Sequence, residues 1–147
     1  MHRINLLSVG KIKTPWIKDG CEVFIQRLHH QCDFQERVIA ASSQAEENQK
    51  LADAIEKSEG VIVVLDELGK EFTSVDFSKW ITKHRDVGTP ITFVLGGAYG
   101  LTDQVRSKGD LVLSLSKMTL PHELCQLVFL EQLYRAHAIS TGTGYHH

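Results

Sequence analysis

Apolar runs alternate along this chain with segments whose apolar positions recur at helical spacing. Five short runs predict β-strands, and those that begin at Val61 and Pro90 are apolar enough for strands buried on both faces. Amphipathic patterns between them predict helices, with capping signals such as Thr14 at one helix start and Gly60 at one helix end. Because strands and helices alternate throughout, the sequence predicts a doubly wound, mostly parallel α/β sheet with helices on both faces.

Two of the predicted elements differ from the others in polarity. The second strand, DFQERVIA, mixes polar and apolar positions, and we expect it near an edge of the sheet. The last helix, from Pro121 to Ile139, has only a narrow polar stripe. A helix this apolar needs more cover than one sheet face provides. It is therefore either central in the fold or covered by a second subunit, and we expect a homodimer.

Length and composition predict one globular domain, residues 1–147. The chain has 147 residues, of which 42% are hydrophobic and 23% charged, as in ordinary globular proteins. Its three cysteines show no CxxC spacing, and any disulfide scheme would leave one unpaired. This indicates a reducing compartment. With no apolar run long enough for a signal peptide or a membrane span, we expect a cytoplasmic protein without membrane association.

Charge is unevenly distributed along the chain. The net charge of −2 and the pI near 6.4 are no signature of nucleic-acid binding. Residues 1–30, however, carry five Lys and Arg against two Asp and Glu. This end could meet a phosphate backbone, or its charges could simply be solvated, and both interpretations stay open at this point.

Small and polar residues follow three of the predicted strands, at Leu65-Asp66, at Gly96-Gly97 and along the segment from Ser114 to Thr119. Parallel strands end at the same edge of a sheet, which is where α/β proteins bind ligands. Two glycines would let a flat ligand approach the backbone, although a glycine pair often only turns the chain. The segment GGAYG is neither GxGxxG nor GxxxxGK[ST], so the standard dinucleotide and P-loop interpretations find no support.

Four segments in order resemble the RlmH group of SPOUT-class ribosomal-RNA methyltransferases: FVLGGAYGL, LSLSKMTLPHEL, LEQLYRAHAI and the terminal GYHH. The resemblance covers essentially the whole chain. It implies a SPOUT-type fold with a C-terminal trefoil knot, an exception to the usual rule against knots. It also implies that S-adenosyl-L-methionine is bound by residues of the strand-end segments, namely Leu65, Gly96, Leu115, Ser116, Lys117, Met118, Thr119 and Leu120.

The same resemblance implies a reaction, which is methyl transfer to N3 of a pseudouridine in 23S rRNA of the assembled ribosome. It implies a homodimer and requires no metal. Tyr145 or His146 would orient the base or take part in proton transfer, and Arg135 would contact phosphate or carboxyl groups. An ordinary helix-end salt bridge is an equally good role for Arg135. The alternative functions are a SPOUT enzyme that acts on tRNA and a non-catalytic α/β module that binds RNA or nucleotides.

Overall fold

A computed structural model describes all residues, 1–147, as one five-stranded sheet with helices on both faces. The strands are β1 (Arg3–Val9), β2 (Asp33–Ile39), β3 (Val61–Glu71), β4 (Ile91–Leu95) and β5 (Leu111–Ser114). The helices are α1 (Pro15–His29), α2 (Gln44–Glu56), α3 (Ser74–Asp86), α4 (Asp103–Arg106) and α5 (His122–Thr141). All neighbouring strands are parallel, in the order β2-β1-β4-β3-β5. The predicted fold class is confirmed, and β2 is an edge strand as expected.

Two hydrophobic cores lie on opposite faces of the sheet. On one face, α1, α3 and α5 pack together around Phe93 of β4 and Phe129 of α5, both fully buried. On the other face, Leu51 of α2 and Val105 of α4 share a core with Val94 of β4. The strand β4 is buried at all five positions because it lies in the centre of the sheet between two helical layers. None of the helices has the length and apolar character needed to cross a membrane.

The last helix owes its apolar composition to a central position. It packs against both α1 and α3, and its residues Phe129, Leu130 and Leu133 have no exposed surface. Of the two alternatives for this helix, the structure thus shows the first, so its composition alone does not require a second subunit. In α1, by contrast, Trp16 fits the apolar periodicity but is 64% exposed, and Ile17 is buried in its place.

The third strand is longer than predicted and contains a bulge. Leu65 and Lys70 both pair with Leu113 of β5, so the four residues 66–69 loop out of the sheet between them. Gly69 permits this path, because a Cβ atom there would lie only 2.5 Å from the carbonyl oxygen of Val112. The bulge turns the side chains of residues 66 and 67 toward the edge at which the strands end.

Candidate active site

A cavity of about 520 Å³ lies at the carboxyl edge of the sheet. Its walls come from the β3 bulge, the loops that follow β4 and β5, and the first turn of α5. Seven of the eight predicted cofactor-contacting residues line it: Leu65, Gly96, Leu115, Ser116, Met118, Thr119 and Leu120. Lys117 is the exception, since it is exposed and its ammonium lies 3.6 Å from the carboxylate of Glu71, at the end of β3. The structure therefore brings the three predicted strand ends to one cavity.

The glycine pair after β4 is needed for a different reason than the sequence suggested. A Cβ atom on Gly96 would lie 2.9 Å from the side chain of Leu101, which is part of the same loop. A Cβ atom on Gly97 would lie 2.9 Å from Val9 and 3.0 Å from a carboxylate oxygen of Glu47. Both Cβ positions thus point into protein, and the glycines allow the loop to pack tightly against its neighbours.

The first turns of α2 hold this loop in place. Asn48, only 2% exposed, accepts a hydrogen bond from the backbone N–H of Thr102 (2.9 Å) and donates one to the carbonyl of Gly100 (3.1 Å). Nearby, the Gln44 side chain donates to the carbonyl of Tyr99 (2.9 Å). The buried side-chain amide of Asn48 thus forms hydrogen bonds with loop backbone groups that would otherwise bond to water. Sequence reasoning missed Asn48, because its spacing marks it as an ordinary helix position.

Hydrogen bonds join the segment after β5 to the β3 bulge, and others form within the segment. The hydroxyl of Thr119 donates to Glu67 Oε2 at 2.7 Å, which links the segment to the bulge. The hydroxyl of Ser114 donates to the carbonyl of Ser116 (2.9 Å), and the backbone N–H of Met118 donates to Ser116 Oγ (2.9 Å). These bonds shape the second wall of the cavity from residues that are polar but small.

The Arg106 guanidinium connects the bulge with the loop after β4. It donates to Asp66 Oδ2 at 3.1 Å and to the carbonyl of Leu101 at 2.8 Å, and it also pairs with Asp103. The hydrogen bond to Asp103 is the main cause that raises the pKa of Arg106 above its ordinary value. Asp66 is therefore occupied by an arginine of the same chain, which fixes one cavity wall to another.

The first turn of α5 contributes His122 and Cys125 to the cavity. Burial raises the pKa of the Cys125 thiol to about 11, so the group is a neutral, apolar contact rather than a nucleophile. Nowhere in the structure do three or more His, Cys, Asp or Glu side chains come together as a metal site would require.

The predicted catalytic residues meet on the outer face of α5 and form one cluster with Glu131. Arg135 forms an ion pair with Glu131 (2.6 Å), and its guanidinium lies 3.0 Å from His146 Nδ1. The hydroxyl of Tyr145 donates to the same Glu131 carboxylate at 3.1 Å, and its ring stacks edge-on against Tyr134. Burial, and then Glu131, raise the pKa of Tyr145, so the phenol stays protonated at neutral pH.

Two glycines direct the tail back onto the helix. Gly142 (φ 68°) caps α5 in the left-handed region, and Gly144 (φ 80°) repeats that conformation two residues later. These two left-handed conformations build the reversal that places Tyr145 on α5. No tail residue lines the cavity, and Glu131 lies about 9 Å farther along the helix axis than Cys125. In one chain the predicted catalytic residues and the cavity are therefore separate.

Comparison with known proteins agrees with this architecture. A family model described as "Predicted SPOUT methyltransferase" matches residues 2–146. The chain is 37% identical over 155 residues to the ribosomal RNA large subunit methyltransferase H of Maridesulfovibrio salexigens, covering all of this chain (100%) and 99% of the relative. It is also 37% identical over 145 residues to the protein of the same name from Prochlorococcus marinus, covering 98% and 95% of the two chains.

A solved structure supports the fold independently of sequence. It is that of a Legionella pneumophila protein described as a methyltransferase, with S-adenosylmethionine bound. The two folds superpose with a TM-score of 0.50 at 13% identity, over 91% of this chain and 66% of the other. The full-length match to the family model and the two relatives at 37% identity show that the chain belongs to the SPOUT methyltransferase family, in the group named ribosomal RNA large subunit methyltransferase H.

Proposed function

We propose that the protein is an S-adenosyl-L-methionine-dependent methyltransferase of large-subunit ribosomal RNA. The observation that carries the proposal is the cavity, which gathers residues from three strand ends in a chain of this family. Its volume of about 520 Å³ lies in the range of small-molecule sites, which is roughly 300–1,000 Å³. The relatives that match over the full length are named for ribosomal RNA of the large subunit.

The cavity fits the cofactor in its chemistry. Leu95, Leu101 and Leu115 provide apolar walls for an adenine ring, and the backbone of the Gly96–Gly97 turn can hydrogen-bond to its edge. The Ser116 hydroxyl can donate to a ribose or a carboxylate, and the Thr119 hydroxyl, whose hydrogen goes to Glu67, can still accept from a ribose hydroxyl. When bound, S-adenosylmethionine supplies an electrophilic methyl group on a sulfonium, and no metal is needed to activate it.

The acceptor that we propose is N3 of a pseudouridine in 23S rRNA of the assembled ribosome. Transfer to a ring nitrogen asks two things of the protein. It must align that nitrogen with the methyl group, which is a matter of positioning. It must also allow the N3 proton to leave as the new N–C bond forms. A ribosomal substrate places the protein in the cytoplasm.

The cluster on α5 favours orientation of the base over removal of its proton. Arg135 can only donate to His146 Nδ1, so the neutral imidazole carries its own hydrogen on Nε2 and offers it as a donor. Tyr145, with its raised pKa, is likewise a donor rather than a base at neutral pH. We propose that both residues hold the target base by hydrogen bonds and stacking, while Arg135 sets their geometry or contacts a phosphate.

The separation of cluster and cavity supports action across a homodimer. Leu124, Leu127, Val128 and Tyr134 remain partly exposed on α5, which gives a partner subunit an apolar surface to cover. In such a dimer the tail of one subunit closes over the cavity of the other and excludes water. We further propose that residues 1–147 act as a single domain. The trefoil knot formed by the segment after β5 stays a prediction from family membership.

Removal of Tyr145–His147 tests this assignment. The truncated protein should keep its dimer mass, melting temperature and cofactor affinity, while methylation of ribosomes is lost. A mixed dimer then tests the geometry, with one subunit that lacks the tail and one that cannot bind cofactor. Action in trans predicts one working site, whereas action in cis predicts none. Full activity of the truncated homodimer would show that the tail has no catalytic role.

A further inference from the structure

The loop between β1 and α1, together with the first turn of α1, presents a positive and aromatic surface. Lys11, Lys13 and Lys18 are all exposed, and none of them forms an ion pair with a carboxylate. Among them lies Trp16, whose side chain is 64% exposed. A free indole of this size at a protein surface leaves a large apolar area in water. The three unpaired lysines lie within five residues of it in the chain.

This surface lies at the same edge of the sheet as the cavity. The strands are all parallel, so the loop after β1 emerges beside the loops that follow its neighbour β4 and the more distant strands β3 and β5. A direct link exists at Glu123 in the first turn of α5. Its carboxylate accepts hydrogen bonds from the backbone N–H groups of Lys13 (2.9 Å) and Thr14 (3.2 Å). The preceding residue, His122, lines the cavity.

The link through Glu123 makes the surface rigid with respect to the cavity. The hydrogen bond from the Lys13 backbone is the main cause that lowers the pKa of Glu123, so this anchor stays ionised at neutral pH. Pro15 begins α1 and fixes the backbone direction just before Trp16. The backbone that carries the lysines and the indole is thus held against the first turn of α5 instead of forming a free loop, which reduces the entropy lost when a ligand binds.

We propose that Lys11, Lys13, Trp16 and Lys18 form a contact surface for the substrate RNA strand next to the cavity. The lysines contact phosphates, and the indole stacks on an unpaired base or a ribose near the target nucleotide. This inference rests on the proposed function and adds the place where the RNA lies. Self-association through the surface is disfavoured, because symmetric pairing would bring its unpaired lysines together.

Salt-dependent binding tests the lysines. The variant K11Q/K13Q/K18Q is compared with K57Q/K79Q/K83Q, whose lysines are also exposed and free of ion pairs but lie on α3 and at the C-terminal end of α2. Affinity for unmethylated ribosomes is measured at several salt concentrations. Each phosphate-binding ammonium that is removed should reduce the slope of log K against log salt by about 0.7–0.9. The slope should therefore fall by about 2–3 for the first variant and not at all for the control. Cofactor affinity should be unchanged in both.

Substitution of Trp16 tests the stacking interaction. Trp16→Phe should bind ribosomes nearly as well as the wild type, while Trp16→Ala should bind about tenfold or more weakly, as expected when a base stack is removed. A Trp16→Ala protein that becomes a monomer would overturn the proposal, because the indole would then belong to a subunit interface. If the enzyme is active but the two lysine variants show equal salt slopes, the proposed RNA contact surface is overturned while the proposed function stands. A wild-type protein that neither binds nor methylates ribosomal RNA would overturn the proposed function with it.

Discussion

The buried amide of Asn48 should couple the stability of the fold to the affinity of the cavity. Asn48→Ala removes the acceptor of the Thr102 N–H and the donor to the Gly100 carbonyl, two bonds that join α2 to the loop after β4. Two further bonds matter less: the one from the Thr102 hydroxyl is long, at 3.4 Å, and the one to the Gln44 carbonyl stays within α2. At about 1 kcal/mol for each hydrogen bond removed, we expect the free energy of unfolding to fall by about 2 kcal/mol.

The same substitution should weaken cofactor binding. Gly100 and Leu101 line the cavity, so a loop released from Asn48 must be ordered again when the ligand binds. If reordering the loop costs about 1.4 kcal/mol of cofactor binding free energy, the dissociation constant for S-adenosylmethionine rises about tenfold. Urea unfolding gives the first quantity, and titration calorimetry at a temperature where the variant is folded gives the second.

A neighbouring substitution provides the control. Gln49 is exposed on α2 and bonds only to Asp53 on the helix surface, so Gln49→Ala should change stability by less than about 0.5 kcal/mol and leave affinity unchanged. An Asn48→Ala protein with wild-type stability would refute the reasoning about the buried bonds. Lower stability with normal cofactor affinity would refute the coupling between α2 and the cavity.

Three further predictions concern the sheet, the pH dependence and the assembly. Gly69→Ala places a Cβ atom against the Val112 carbonyl and should cost about 2–3 kcal/mol in thermal unfolding. Gly20→Ala meets only the end of the Leu127 side chain, which can shift, and should stay within about 1 kcal/mol. Burial lowers the pKa of His137, so the unfolded chain takes up the proton first and stability should fall below about pH 6.5, by at most about 1.4 kcal/mol per pH unit. His137→Gln should remove this part of the slope in urea midpoints between about pH 7.5 and about pH 5.5, and an unchanged slope would contradict the assignment. Light scattering should give a dimer mass at micromolar concentration, and a monomer mass would remove the shared-site mechanism.

Periodicity was sufficient to predict the order of the elements but not how one strand deviates within the sheet. The run from Val61 to Leu65 marks a buried strand, and alternation of strands with helices implies parallel pairing. Nothing in that pattern shows that β3 resumes its pairing with β5 at Lys70, after four residues outside the sheet. The bulge depends on the close approach of Gly69 to Val112, which is distant in sequence. Local patterns do not contain such long-range information.

The residues that line the cavity could be predicted from sequence, but those that hold its walls in place could not. Its lining residues follow strand ends, and strand ends can be found from sequence alone. Asn48 and Arg106 act through hydrogen bonds to residues 52 and 40 positions away, so neither has a local signature. The path of the tail is a further feature that local sequence does not reveal. Gly142 and Gly144 indicate flexibility when considered alone, but in the structure their positive φ angles direct Tyr145 to a defined partner.

The most direct test of the proposed function is mass spectrometry of 23S rRNA nucleosides after incubation of unmethylated ribosomes with the purified protein and isotopically labelled S-adenosylmethionine. Our account predicts a labelled methyl group on N3 of a pseudouridine in 23S rRNA, which forms without added metal and requires both the protein and the cofactor. Absence of label from 23S rRNA, or label that enters only tRNA, would contradict it.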